Sequence, residues 1–209
     1  MTPLSHLDPR TMSPEDLKSA WRDAVRRKRS QRGERRNVEI AEILRETVIA
    51  LPEAEGVRCA SVYASRALEP GTLPLIEAMH GQGIEVLVPR LGTGLQRGWG
   101  VYSRADDLIA RAPGRPPEPS GDFLPPSRLA DADIIIVPAL AVDNTGTRLG
   151  QGAGWYDRAL AEARPGVPIV ALVFDDEFHD AAIQCIPHES HDVAVSIVVR
   201  PSGVTRIRA

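Results

Sequence analysis

Five short runs of aliphatic and β-branched residues recur along this chain, at Val57–Tyr63, Ile84–Pro89, Asp133–Pro138, Pro168–Phe174 and Val193–Val199. They are too short for core helices and lack the polar alternation of a half-exposed strand. That pattern marks strands buried on both faces of a sheet. Helical patterning fills several of the gaps, and strands alternating with helices predict an α/β fold. A mostly parallel sheet flanked by helices is expected. The turn at Glu69-Pro70-Gly71 and a helix running through Met79 complete a β-α-β unit, with the usual right-handed crossover. At the amino end, Ser13-Pro14-Glu15-Asp16 is a helix start: a capping hydroxyl, a proline suited to the first turn, and two acids at the positive end of the dipole. Leu17, Ala20, Trp21, Ala24 and Val25 follow at helical spacing. Gly33 breaks this helix. A second is predicted over 35–50 with Val38, Ala41, Leu44 and Val48 inward. The two form an N-terminal helical arm, preceded by a loose extension over residues 1–12. A short helix is expected over 155–163, and the strand at Val193–Val199 closes the chain.

The 209 residues suit one domain, 1–209. A formal charge of −3 excludes a generally basic nucleic-acid binder. The apolar runs fall far short of the ~20 residues that span a bilayer, and MTPLSHLDPR lacks the pattern of a signal peptide. The two cysteines, Cys59 and Cys185, cannot build a disulfide framework. A cytoplasmic protein that binds neither membrane nor nucleic acid is expected. Within residues 22–36, eight side chains are Arg or Lys. Such a run reads either as a solvated helix face or as a source of cations for a polyphosphate. Lys18, Arg22 and Arg29 share one face of the helix. Residues 92–126 are rich in glycine and proline with little periodicity. They read as a binding loop, or as connecting chain with an edge hairpin around Trp99–Tyr102.

The stretch most informative about chemistry is Asn144–Arg158, which follows one buried strand and precedes a helix. In an open α/β sheet, ligands bind beyond the carboxyl ends of the strands, where this loop must lie. Gly150, Gly152 and Gly154 alternate, so bare backbone amides can approach an anion at the loop-to-helix junction. Arg148 adds a permanently charged fork for phosphate oxygens. The loop matches neither G-x-G-x-x-G nor G-x-x-x-x-G-K-[ST].

Gly146–Arg158, read as G-T-R-L-G-Q-G-A-G-W-Y-D-R, resembles the signature of the 5-formyltetrahydrofolate cyclo-ligases, roughly G-x-R-L-G-x-G-x-G-[YF]-Y-D-R. Weaker matches follow in order along nearly the whole chain: Lys18-Ser19-Ala20-Trp21-Arg22, Glu69, Val88-Pro89-Arg90, Pro117-Glu118-Pro119, Val137–Ala141 and His191-Asp192. The resemblance implies an enzyme in which ATP phosphorylates the formyl oxygen of 5-formyltetrahydrofolate. N10 then attacks the activated carbon, and loss of phosphate gives 5,10-methenyltetrahydrofolate. The partners implied are small molecules, with ATP as co-substrate, Mg²⁺ as cofactor, and a monomer at work.

On the same footing, Arg148 and Lys18 are the catalytic cations. Lys18, Arg22, Arg148, Gly150, Gln151, Gly152, Ala153, Gly154, Trp155 and Tyr156 form the ATP site. Glu69, Trp99 and Tyr156 meet the folate, and Asp157 and Asp192 hold the metal. The residues alone leave alternatives open. Asp157 suits a helix-capping role, Asp192 a turn-forming one, and Glu69 an exposed turn. Trp99 suits packing, Lys18 the surface, and Tyr156 the core. Five positions depart from the family's pattern: Gln151 and Ala153 stand where a cation is common, Trp155 replaces a tyrosine, Leu91 stands where some members carry an aromatic residue, and Glu177 replaces a glutamine near the folate. A catalytically weak relative that binds folate or nucleotide as a regulator is the alternative reading.

Overall fold

The computed structural model describes residues 13–189 and 192–207. The extension expected over 1–12, and His191 of the His-Asp pair, lie outside the described residues. Helix α1 (Pro14–Arg29) starts where expected, the Ser13 hydroxyl accepting from Asp16 N at 3.1 Å. Gly33 separates it from α2 (Glu34–Ile49). In α2, Ala41, Leu44 and Val48 are buried as expected, but Val38 is 61 % exposed and Ile40 takes its place. Ile40, Leu44 and Val48 recur every four residues along one face, and Val38 lies well round the helix from it.

Strands β1 (Cys59–Val62), β2 (Glu85–Leu91) and β3 (Arg97–Val101) follow, with α3 (Leu73–Gly81) crossing between the first two. The glycine- and proline-rich stretch supplies β3 itself, paired antiparallel with β2, and then β4 (Leu108–Ile109) and β5 (Glu118–Pro119), paired antiparallel with each other. Then come β6 (Ile134–Pro138), β7 (Ala141–Asp143), β8 (Arg148–Leu149), α4 (Trp155–Ala159), β9 (Ile169–Leu172), β10 (Phe178–His179), β11 (Ile197–Arg200) and β12 (Gly203–Arg206). The main sheet runs β12-β11-β9-β6-β1-β2-β3, and β7, β8 and β10 form a small second sheet. Neighbours from β11 through β2 are parallel, while β3 and β12 close the edges antiparallel. The sheet is therefore mainly parallel, as the continuous apolar runs require. Every residue of β1, β6 and β9 is buried apart from the half-buried Pro138 at the end of β6. The closing strand is β12, beyond the last run read from the sequence. With half-exposed, mixed side chains and a glycine at its start, it carries little strand signal.

Two apolar clusters hold these elements. The larger unites the sheet with α2, α3 and α4. The smaller docks α1: Leu17, Trp21, Ala24 and Val25 pack on Leu140, Ala141, Leu149 and Ile186. Trp21 also meets His179 in a T-shaped contact, ring centroids 4.9 Å apart. Burial pushes the His179 imidazole below its ordinary value. Lys28 pushes the same way, and Asp143 and Asp176 oppose. A folded-state value below the unfolded one means that the unfolded chain takes the proton more readily. The neutral ring's contribution is thus complete above about pH 6.5 and is lost as pH falls below it. Thermal unfolding followed from about pH 8 to about pH 5 is expected to separate the wild type from His179→Gln. The difference in stability between the two proteins should shift against the wild type as pH falls; a pH-independent difference would remove His179 from the account.

Candidate active site

A cavity of about 340 Å³ opens beyond the carboxyl ends of β1, β2 and β6, where Tyr63 and Ala64, Pro89–Leu91 and Pro138 reach its wall. The hairpin β7–β8 delivers Arg148 to it. The hairpin is fixed by Asp143, fully buried, whose carboxylate accepts from Thr145 N at 3.0 Å, Thr147 N at 3.2 Å and Ile186 N at 3.4 Å. Gly146 turns it with φ +87°, and a Cβ there would stand 2.6 Å from Val195 O. The loop Gly150–Gly154 then crosses the cavity mouth, with Gly152 (φ +98°) and Gly154 (φ +59°) in the left-handed region that glycine adopts without strain. A Cβ on Gly152 would lie 3.2 Å from the Arg22 guanidinium, so α1 packs directly on bare backbone. The helix that follows is shorter than expected: α4 ends at Ala159 and a 3₁₀ turn covers Leu160–Glu162. Backbone amides and side-chain cations, more than a long helix dipole, are what this site offers an anion.

The cavity brings together all the site residues expected from the sequence except Trp99. Lys18 Nζ donates to Glu189 Oε2 at 2.9 Å and to Asp192 Oδ2 at 3.3 Å. Burial opposes its charge, but the two carboxylates outweigh burial and hold the ammonium above its ordinary value. Arg22 Nε donates to Gly150 O at 3.2 Å and its Nη1 to Glu15 at 3.0 Å. Arg148 pairs with Asp157 through Nη2, while its buried Nε meets no acceptor among the described residues. Gln151 Nε2 donates to Glu69 at 3.0 Å, and its side-chain oxygen accepts from Arg26 at 3.1 Å. It thus links α1 to the turn after β1. Glu69 is buried rather than an exposed turn acid. It also accepts from Arg66 N at 2.9 Å, Nη2 at 2.9 Å and Nε at 3.3 Å. Burial holds the Tyr156 phenol well above its ordinary value, against the opposing charge of Arg148, and its hydroxyl has no partner among the described residues.

Trp99 and Glu177 do not behave as read from the sequence. Trp99 lies in β3 and is 1 % exposed. Its indole N–H donates to Pro126 O at 3.2 Å, and its ring meets Trp155 edge-on at 5.0 Å. A place in the sheet, opposite Pro89, keeps it off the cavity wall. Glu177 does not line the cavity either. It forms a buried two-point ion pair with Arg29 (2.8 Å and 2.8 Å) and also accepts from Phe174 N at 3.1 Å. Burial raises its carboxyl and Arg29 opposes that. The acid expected near the folate is therefore an anchor for α1. The shared face of Lys18, Arg22 and Arg29 does point inward, with only its first two members reaching the cavity.

Six charged lining residues were not singled out as site residues: Glu15, Arg66, Arg90, Arg115, Glu118 and Glu189. Arg90 sits at a strand's carboxyl end, the one placement with a readable signal. Glu118 lies between two prolines and Arg115 in featureless loop, where no periodicity gives them away.

Fold and cavity define an α/β protein of mostly parallel sheet whose ligand cleft, lined by paired cations and carboxylates, lies at the strands' carboxyl ends. A model of the 5-formyltetrahydrofolate cyclo-ligase family matches residues 14–201, and the chain belongs to that family. It is 38 % identical to a 5-formyltetrahydrofolate cyclo-ligase of Mycolicibacterium smegmatis, over 94 % of this chain and 100 % of the relative. It is 31 % identical to the enzyme of that name in Escherichia coli K12, over 69 % and 78 %. The NMR structure of the Aquifex aeolicus 5,10-methenyltetrahydrofolate synthetase superposes with a TM-score of 0.76 at 26 % identity, covering 92 % of this chain and 94 % of that one. A synthetase of the same name from Mycoplasma pneumoniae, at 15 % identity and TM-score 0.66, shares the fold over 87 % of this chain and 96 % of its own.

Proposed function

We propose that this chain cyclises 5-formyltetrahydrofolate to 5,10-methenyltetrahydrofolate at the cost of ATP, releasing ADP and phosphate. The observation that carries this is the Gly146–Arg158 segment, folded so that Arg148, a bare glycine loop and Asp157 share one cavity with Lys18 and Arg22. An amide-like formyl oxygen is a poor leaving group. Transfer of the γ-phosphoryl group to it creates a good one. N10 then attacks the formyl carbon and gives up its proton, and the C–O bond breaks with departure of phosphate. The protein's task is to align two substrates and to neutralise charge on the moving group. In this reading Lys18 and Arg22, one turn apart on α1, approach the phosphates from one side. Arg148 and the amides of Gly150, Gln151, Gly152, Ala153 and Gly154 approach from the other. Trp155 and Tyr156 bound the nucleotide end, and Glu69, braced by Gln151, lies toward the folate. The enzyme is read as one domain working as a monomer in the cytoplasm. Its free thiols agree, Cys59 being buried and pushed up to about 12 by that burial. No described helix is long and apolar enough to cross a membrane.

The donor set suits Mg²⁺ arriving with a nucleotide. Among the described residues no three His, Cys, Asp or Glu groups are placed to hold a metal ion between them. Mg²⁺ commonly needs only one or two carboxylates besides phosphates and water. Asp157 and Asp192, both on the cavity wall, supply hard oxygens of that kind. When bound there, the ion would offset charge on the phosphate oxygens. Asp157→Asn is therefore expected to raise the Mg²⁺ concentration for half-maximal activity; an unchanged titration would leave Asp157 only as the partner of Arg148.

The function itself is tested by following the near-ultraviolet band of the methenyl product with ATP, Mg²⁺ and 5-formyltetrahydrofolate, alongside calorimetry with nucleotide. Product formation that needs all three components is expected. Folded protein with no affinity for nucleotide would overturn the proposal.

A further inference from the structure

Glycines 150, 152 and 154 carry no side chain that fixes the direction of their peptide planes, so the aim of the loop's amides must be imposed from outside the loop. Two arginines of α1 do this by holding carbonyl oxygens. Arg22 Nε donates to Gly150 O at 3.2 Å, and Arg26 Nη2 donates to Gln151 O, also at 3.2 Å. In a trans peptide the carbonyl and the following N–H point in opposite directions within one rigid plane, and no described peptide here is cis. A carbonyl drawn toward α1 therefore turns the next amide away from it. The two grips send successive amides, those of Gln151 and Gly152, to one side of the loop. Among the described residues neither donates to a backbone carbonyl, and both residues line the cavity. Successive unengaged amides on one side of a backbone make an anion-binding concavity. Arg26 itself is outside the cavity wall, its side chain about half exposed. The same Nη2 also donates to Gln151 Oε1 at 3.1 Å, while its Nη1 stands 3.5 Å from Asp23. Gln151 Nε2 completes the chain of contacts by donating to Glu69 at 3.0 Å. A cation at 151 would be repelled by Arg22 and Arg26, whereas a neutral amide accepts from one side and donates to the other.

We propose that Arg26 is a positioning residue for phosphate binding: it touches no ligand, and by holding Gln151 at its carbonyl and side-chain oxygens it aims the Gly152 amide at the phosphates of the nucleotide. Arg22 does the same for the Gln151 amide through Gly150 O. The inference rests on the cyclo-ligase reading and deepens it, because it makes nucleotide affinity depend on a side chain outside the cavity. An exposed guanidinium also attracts anions by charge alone. That attraction is screened by salt, whereas the direction of a hydrogen-bonded peptide is not.

The test compares wild type, Arg26→Met and Arg26→Lys. ADP is titrated by calorimetry at about 0.05 M and about 0.5 M salt, and the backbone amides of Gln151 and Gly152 are followed by NMR. Both amide resonances of wild type should shift on addition of ADP. Arg26→Met keeps the aliphatic stem and loses the donors. It should weaken ADP about tenfold at both salt concentrations and lose most of the shift at Gly152. Arg26→Lys, whose ammonium can still donate to both oxygens, should return to within about threefold of wild type. Affinity for 5-formyltetrahydrofolate without nucleotide should stay within about twofold in both variants. A loss in Arg26→Met that vanishes at the higher salt would reduce Arg26 to bulk charge and overturn the proposal. ADP affinity within about twofold of wild type in that variant would overturn it too. Should Arg26→Met not fold, Arg26→Ala takes its place with the same expectations. Wild type that binds ADP and shows the Arg26 effect, yet forms no methenyl product from ATP and 5-formyltetrahydrofolate, would overturn the cyclo-ligase reading alone. Wild type without affinity for ADP would overturn both.

Discussion

Arg148→Ala is expected to lower turnover by about 10²-fold or more, because an arginine facing a moving phosphoryl group neutralises charge that peaks in the transition state. The side chain is 4 % exposed, is carried on the two-residue strand β8, and has one nitrogen on Asp157 and its Nε open. Asp157 is thus its counter-ion, and the remaining nitrogens are left for an arriving phosphate oxygen. Arg148→Lys should recover little, since an ammonium cannot hold Asp157 and a phosphate oxygen in the fixed geometry of a guanidinium fork. The loss should fall mainly on kcat, with ADP affinity changed less. Steady-state kinetics together with nucleotide calorimetry separates the two. Turnover within a few-fold of wild type would reduce Arg148 to a structural partner of Asp157.

Glu177→Ala should be the most destabilising substitution on the face that anchors α1. It leaves the Arg29 guanidinium 2 % exposed with only Ala139 O, at 2.7 Å, to accept from it. Removing one partner of a buried pair costs about 3–5 kcal/mol. For a domain of this size that is a fall of roughly 6–20 °C in Tm. Replacing both partners with apolar residues, Arg29→Met with Glu177→Leu, should recover most of the loss, because the penalty lies in the stranded charge rather than in the missing attraction. A loosened α1 also misplaces Lys18 and Arg22, so KM for ATP should rise while the folate is held as before. A Tm within about 3 °C of wild type would mean that the pair is not the anchor described here.

How much of this was legible in the sequence differs by element. The buried central strands were plain because strands covered on both faces have nothing polar to blur them. Edge strand β12 was not, since half of each residue there faces out and glycine opens it. Val38 was misplaced because a stripe read at three-residue spacing drifts off a face that the fold sets at 40, 44 and 48. The glycine loop and its cations were legible because their chemistry is local in sequence. Trp99 and Glu177 were misread for the opposite reason: each is decided by a partner far along the chain, Pro126 in one case and Arg29 in the other. Arg90 is the same problem in the cavity wall: it is unremarkable by itself, and only the tertiary fold shows its Nε and Nη1 buried without an acceptor among the described residues.

The separate apolar cluster beneath α1 has a consequence for affinity. A helix fastened by its own patch, and joined to the body through only Ser30–Gly33, behaves as a tethered ligand with a high effective concentration. On the role proposed for Lys18 and Arg22, two cations leave the cavity whenever it lets go, and the apparent dissociation constant for nucleotide would be the intrinsic one divided by the docked fraction. Substitutions at Trp21 or Ile186, which lie outside the cavity wall, would then tune nucleotide affinity without touching the site.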